Sequence, residues 1–112
     1  MRRSTAAQAQ KTAAPIFVAL GDQTRLALVA RLCEQGPLSI TKLTVGAAIT
    51  RQAVTKHLHL LEDAGLVQST RDGRESVWEV RPHRLQDARR YLDQIAAQWD
   101  AALDRLRAFV ER

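Results

Sequence analysis

Arg51, Gln52, Thr55, Lys56 and His59 follow one another at steps of one, three, one and three residues. At about 100° per residue, Gln52, Thr55, Lys56, His59 and Asp63 gather on one side of a helix, with Arg51 at its edge. Val54, His57, Leu58, Leu61 and Ala64 collect on the other side, flanked by Ala53 and Leu60. One face therefore carries amide, hydroxyl, imidazole and cationic groups, the donors and acceptors that match base edges and phosphates. Any surface helix has a polar face, so the stripe alone decides little. Charge decides more: residues 39–61 hold Lys42, Arg51 and Lys56 and no acid before Glu62. The helix N-terminus adds free N–H groups and the positive end of the dipole.

The flanking sequence predicts the elements that would hold this helix. Thr50 is its N-cap and Gly65 occupies its C′ position, giving a helix over about 50–64. Asp22 caps an earlier helix in which Leu26, Val29, Leu32 and Cys33 form one apolar face, and Gly36-Pro37 stops it. Ser39 caps a short helix with Ile40, Leu43 and Ala47. A short helix joined by a tight turn to the 50–64 helix is a helix-turn-helix arrangement. Residues 67–71 and 75–80 read as strands joined by Asp72-Gly73-Arg74, a hairpin signal, with Trp78 and Val80 on one face. Arg71 and Arg74 flank that hairpin and can meet a neighbouring phosphate or minor groove as a wing. Pro15 is expected in the first turn of a short helix carrying Ile16, Phe17 and Leu20. Residues 1–14, with Arg2, Arg3 and Lys11, read as a basic, flexible tail, and 15–112 as one domain. The fold class expected is mainly α with a small β-hairpin.

Bulk properties fit this reading. The chain has 112 residues, 46% hydrophobic and 26% charged, which suits one globular domain. Its net charge of +5 favours an anionic partner, and three of those charges sit in residues 1–11. No stretch approaches the roughly 20 apolar residues of a membrane span, so no membrane partner is expected. The one cysteine, Cys33, cannot form an internal disulfide; it reads as a buried free thiol in a cytoplasmic protein. There is no Gly-rich phosphate loop, nucleophile elbow or nearby Cys/His pair, and enzyme chemistry is not expected.

The last helix, about 84–110, is roughly 40 Å long. Leu85, Ala88, Leu92, Ile95, Trp99, Ala102, Leu106 and Phe109 alternate at three- and four-residue steps, an a/d heptad seam widened by Leu103 and Val110. The seam either packs back on its own domain or pairs with its twin and with Ile16, Phe17 and Leu20. A long helix beside a small core favours pairing, which makes it a C-terminal dimerisation helix with Leu92, Ile95, Trp99, Leu106 and Phe109 at the interface.

These segments together resemble the ArsR/SmtB family of winged helix-turn-helix regulators. The resemblance runs through Phe17-Val18-Ala19-Leu20-Gly21-Asp22-Gln23-Thr24-Arg25-Leu26, Gly36-Pro37-Leu38-Ser39-Ile40, Thr50-Arg51-Gln52-Ala53-Val54-Thr55-Lys56-His57-Leu58 and Leu61-Glu62-Asp63-Ala64-Gly65-Leu66-Val67. It implies a homodimeric repressor occupying a palindromic operator on double-stranded DNA, often its own promoter. It also implies contacts from Thr50, Arg51, Gln52, Thr55, Lys56 and His59; His57 matches the pattern too, but the helical angles put it on the core side. Ala48 stands where the family usually has glycine, with Gly46 two residues earlier, and Gln52 where it usually has proline. The family's Cys-x-Cys metal site falls on Thr44 and Gly46. The last helix offers Asp87, Asp93, Asp100, Asp104 and Glu111 but neither His nor Cys. No metal or other cofactor is therefore expected, and the effector is not specified. A protein-binding winged helix is the alternative, and it would not require steep salt dependence.

Overall fold

A computed structural model describes residues 6–111. The first helix, α1 (Ala6–Leu20), begins well inside the stretch expected to be a flexible tail. Ala6, Ala7, Ala9, Gln8, Gln10 and Lys11 are strong helix formers, and Ala13 is buried, so propensity and packing both extend the helix. Pro15 consequently lies inside α1 rather than in its first turn. Arg2 and Arg3 lie outside the described residues.

Asp22 caps α2 (Gln23–Gln35) by accepting from the Arg25 backbone N–H at 3.0 Å. The buried face of α2 is Leu28, Val29 and Leu32: Val29 and Leu32 of the expected stripe are in it, while Leu26 is half exposed and Cys33 exposed. The apolar face is thus rotated, and Cys33 is not a buried thiol. Strand β1 (Leu38–Ser39) leads into α3 (Ile40–Thr44), with Ser39 as its N-cap. Helix α3 stops before Ala47 because Gly46 turns the chain with a positive φ of 82°. Helix α4 (Arg51–Asp63) follows. It closes in a Schellman motif: Leu66 N–H donates to Leu61 O at 3.0 Å and Gly65 N–H to Glu62 O at 2.9 Å.

Strands β2 (Val67–Asp72) and β3 (Glu75–Val80) form the hairpin, and β1 adds to β3, giving an antiparallel sheet of order β1-β3-β2. The two-residue β1 escapes periodicity, being too short to alternate; its pairing of Leu38 with Trp78 seats both in the core. Asp72 pairs with Glu75, so the loop is Gly73-Arg74. Only Gly73 has a positive φ, 64°, which is the type II′ pattern with glycine first.

One core gathers Ile16, Leu32, Leu43, Val54, Leu58, Leu61, Leu66, Val67 and Trp78, each almost fully buried. Val80 packs against it, as the shared face with Trp78 predicted. Helix α5 (Pro82–Val110) contributes Ala88 and Leu85 to this core and then leaves it. The Cα radius of gyration is 18.3 Å and the longest extent 66 Å. A compact domain of this length has a radius of about 13 Å. The excess is α5 projecting from the rest. No single described helix is long and apolar enough to cross a membrane.

Candidate nucleic-acid interface

Helix α4 is fixed from beneath and open above. Val54, Leu58 and Leu61 are fully buried, while Arg51, Gln52, Lys56 and His59 are exposed. Thr50 accepts from the Ala53 backbone N–H at 3.1 Å, and the Thr55 hydroxyl donates back to Arg51 O at 2.9 Å. Both hydroxyls therefore serve the helix first. The side chains of Arg51, Gln52 and Lys56 have no hydrogen-bond or ion-pair partner among the described residues, so their head groups are available to a ligand without breaking an existing contact.

His59 is differently placed. Its Nδ1 lies 3.2 Å from Glu62 Oε1, and its ring meets the indole of Trp78 edge to face, with centroids 5.6 Å apart. It thus joins the outer face of α4 to the base of the wing. Glu79 accepts from Gln68 across the hairpin at 2.9 Å, and Glu75 accepts from the Thr41 hydroxyl at 2.8 Å, tying the hairpin to α3. Arg71 and Arg74 are exposed at the hairpin tip, clear of these ties.

Two arginines of α2 set the angle of the motif. Arg31 reaches the C-terminal turn of α3, donating to Lys42 O at 2.9 Å and to Leu43 O and Val45 O at 3.4 Å. A guanidinium there satisfies carbonyls that the helix end leaves open and suits the negative end of its dipole. Arg25 donates from Nε to Ala19 O at 2.7 Å and approaches His57 Nδ1 at 3.3 Å. A guanidinium can only donate, so Nδ1 accepts and the neutral ring carries its proton on Nε2. Asp22 Oδ2 lies 3.8 Å from the same nitrogen. His57 therefore faces inward, as the helical angles predicted, and links α4 to the start of α2. The Arg25 backbone N–H holds the Asp22 carboxyl below the usual carboxylate range, opposed by desolvation and aided by the Arg25 charge and the Thr24 N–H. Neither arginine is singled out by the sequence; both stand on a helix whose polar residues carry no sign of their distant partners.

The expected dimer residues fall into two groups. Ile16 is 1% exposed within its own protomer's core, and Phe17 packs on Tyr91 of α5 with ring centroids 6.1 Å apart. Leu20 is partly buried against the core. Ile16 therefore has no side chain left for a partner. Leu92, Trp99, Leu106 and Phe109 are 51%, 65%, 58% and 68% exposed, with Ile95 partly buried between them. Leu103 and Val110 extend the same bare face.

Helix α5 starts two residues earlier than expected, which brings His83 into it, 3.9 Å from Asp87. The last helix is thus not free of histidine. Arg84 and Arg90 also pair with Asp87. Among the described residues, no three His, Cys, Asp or Glu side chains gather as a metal site would require.

A short helix, a connection over Val45–Thr50 in place of the tight turn expected, a helix open on its polar face and a hairpin beside it define a winged helix-turn-helix. Residues 20–70 match a family model described as a helix-turn-helix domain. An HTH-type transcriptional regulator of Mycobacterium tuberculosis is 38% identical over 85 residues, covering 76% of this chain and 76% of that protein. A probable mercury resistance operon repressor of Streptomyces lividans is 34% identical over 93 residues, covering 83% of this chain and 74% of its own length. The solved structure of an ArsR-like transcriptional regulator from Rhodococcus sp. RHA1 is 32% identical with a TM-score of 0.73, covering 88% of this chain and 92% of that one. The chain belongs to the ArsR family of winged helix-turn-helix, DNA-binding transcriptional regulators.

Proposed function

We propose that the protein is a cytoplasmic, non-enzymatic repressor that binds a palindromic operator as a homodimer. The observation that carries this reading is the bare apolar face of α5 from Leu92 to Val110. Four large side chains more than half exposed along one helix face mark an association surface rather than a solvent-facing one. A two-fold contact along α5 gives an interface of the isologous kind. It places two α4 helices to enter successive major grooves, about 34–36 Å apart. Arg51, Gln52 and Lys56 then meet bases and phosphates, Thr50 and Thr55 add contacts from their free lone pairs, and His59 reads from the wing side. Arg71 and Arg74 hold the flanking backbone. The Streptomyces relative's description as a repressor supports occupancy of an operator as the mode of action.

Labelled DNA from upstream of the protein's own gene, compared with scrambled DNA across a salt series, tests this. The expected result is two protomers per duplex, clear preference for one sequence, and an affinity falling steeply with salt as phosphate counterions are released. Equal weak binding to both DNAs, together with weak salt dependence, would instead favour the protein-binding role.

A further inference from the structure

We propose that Glu75 is a positioning residue for DNA binding: its bond to Thr41 holds the wing arginines in a set place relative to α4. The third strand of the sheet is only two residues long, pairing Leu38 with Trp78 and Ser39 with Val77. It stops there because Ser39 turns to cap α3. Beyond Val77 the hairpin has no strand beside it but its own: Arg71 pairs with Ser76 and Asp72 with Glu75. A two-stranded hairpin is marginally stable alone. Arg71 and Arg74 both lie in this part.

Thr41 stands where β1, continued in the same register, would have faced Glu75. Its hydroxyl donates to Glu75 Oε1 at 2.8 Å, so one side-chain bond takes over where the ladder stops. Among the described residues it is the only side-chain hydrogen bond or ion pair that leaves residues 71–76. The other carboxylate oxygen, Oε2, is buried without a hydrogen-bond partner. The group is thus turned into the protein, not out toward an approaching phosphate. A buried oxygen without a partner costs stability, so stability alone gives no reason for an acid at this place.

Helix α3 is itself fixed at its other end, where Arg31 of α2 grips Lys42 O, Leu43 O and Val45 O. Leu43 of α3 and Val54 of α4 share the core. The wing and α4 are therefore both held to α3, the one by a single side-chain bond and the other by packing. Arg71 and Arg74 meet DNA as a second contact tethered to the first. Such a contact adds affinity in proportion to how well it is placed beforehand, because ordering it on binding costs entropy. Losing the Thr41 bond frees the tip, and the two arginines then contribute less. This consequence rests on the reading of the hairpin as a DNA-contacting wing; the tie itself does not.

Electrostatics alone gives Glu75 the opposite sign: removing an acid beside two DNA-binding arginines should tighten binding. Operator titrations of the full chain across a salt series separate the two. Thr41→Val removes the bond at constant charge, and Glu75→Ala removes it together with the acid. Both are expected to weaken operator binding and to lower the salt slope by about one, as though an arginine contact had been lost. In either background Arg74→Ala should cost at least about twofold less than in the parent, the lower end of coupling between residues that act together. Thr41→Ser, which restores the hydroxyl, should recover the parent's affinity, slope and coupling; melting curves check that each variant folds. Tighter binding by Glu75→Ala, or a loss on Arg74→Ala that is as large in Thr41→Val as in the parent, overturns the proposal. Amide hydrogen exchange without DNA tests the tie itself. Thr41→Val should speed exchange at residues 71–76 and leave Leu58 and Leu61 of α4 unchanged, and unchanged exchange at the tip overturns the proposal. Faster exchange at the tip of a chain whose DNA affinity ignores both Arg71 and Arg74 would overturn the DNA role through the wing reading, not through the tie.

Discussion

Helix α4 and the distal half of α5 carry the same kind of amphipathic pattern and meet opposite fates. Val54, Leu58 and Leu61 of α4 vanish completely into the core. Trp99, Leu106 and Phe109 of α5 remain 65%, 58% and 68% exposed, although their spacing is the more regular. The difference lies in what surrounds them. Helix α4 is enclosed by α2, α3 and the sheet, while α5 runs past the last element that could cover it. Periodicity states that a face must be covered; the neighbours decide whether the same chain does it. The winged half is complete in one protomer, and the α5 end is left uncovered by it.

Substitutions at equivalent positions in the two regions should therefore act on different quantities. Leu61→Ala removes a fully buried side chain from the complete half. It is expected to cost about 2–5 kcal/mol of protomer stability, seen as a lower denaturation midpoint at every protein concentration. Trp99→Glu is expected to leave the protomer's unfolding nearly unchanged at low concentration, while sedimentation shows monomers. Operator affinity should drop roughly a hundredfold, about 2.7 kcal/mol, as one half-site is lost. A Trp99→Glu protein that stays dimeric would erase the contrast between the regions. It would also remove the support for the two-fold operator.

Within the winged half, the exposed face of α4 is expected to separate into residues that specify and residues that hold. Gln52→Ala is expected to lose about 1–3 kcal/mol of discrimination between operator and altered sites if its amide pairs with a base. Lys56→Ala should weaken binding to all DNA alike and reduce the salt slope by about one. Gel-shift titrations against a set of single-base operator variants distinguish the two. His59→Ala belongs with Gln52 if the imidazole reads a base. Should its effect instead be uniform across sequences, its role is the contact with Trp78 and Glu62 that steadies the wing.

Much of this division is legible before the fold. The caps Asp22, Ser39 and Thr50, the Gly65 stop, the hairpin and the two faces of α4 all follow from local chemistry, and local chemistry is what short stretches of sequence carry. Expectation and structure part where packing overrules it. Residues 6–14 look like a loose basic tail by composition, but alanine propensity and the burial of Ala13 make them helix. Ile16 looks available for a partner, but its own core takes it, while Phe17 packs on Tyr91 and stays half-buried. Leu26 and Cys33 share a helical stripe with Leu32, yet the core touches α2 on the side of Leu28. The Arg31 grip on α3 and the Arg25–His57 link join residues 11 to 32 positions apart, beyond the reach of spacing. The polar stripe of α4 is visible because it lies on one helix; what aims it is not.

The smallest expected effect concerns that aiming. Asp22 caps α2, and its carboxylate faces both Arg25 and His57, so its charge supports the joint between α2 and α4. Its pKa is lowered in the folded protein, chiefly by the Arg25 N–H. A carboxyl depressed by folding adds stability above its unfolded pKa of about 3.9, and that contribution is lost as pH falls through the lower folded value. The substitution Asp22→Asn keeps a capping oxygen but removes both charge and titration. The stability advantage of the parent over this variant should thus be present at neutral pH and shrink as the solution is taken below about pH 4. Chemical denaturation of both proteins from neutral to strongly acidic solution provides the measurement. A gap that stays constant across that range would mean the cap acts through its hydrogen bond alone. Its charge would then contribute nothing to the joint that holds the recognition helix.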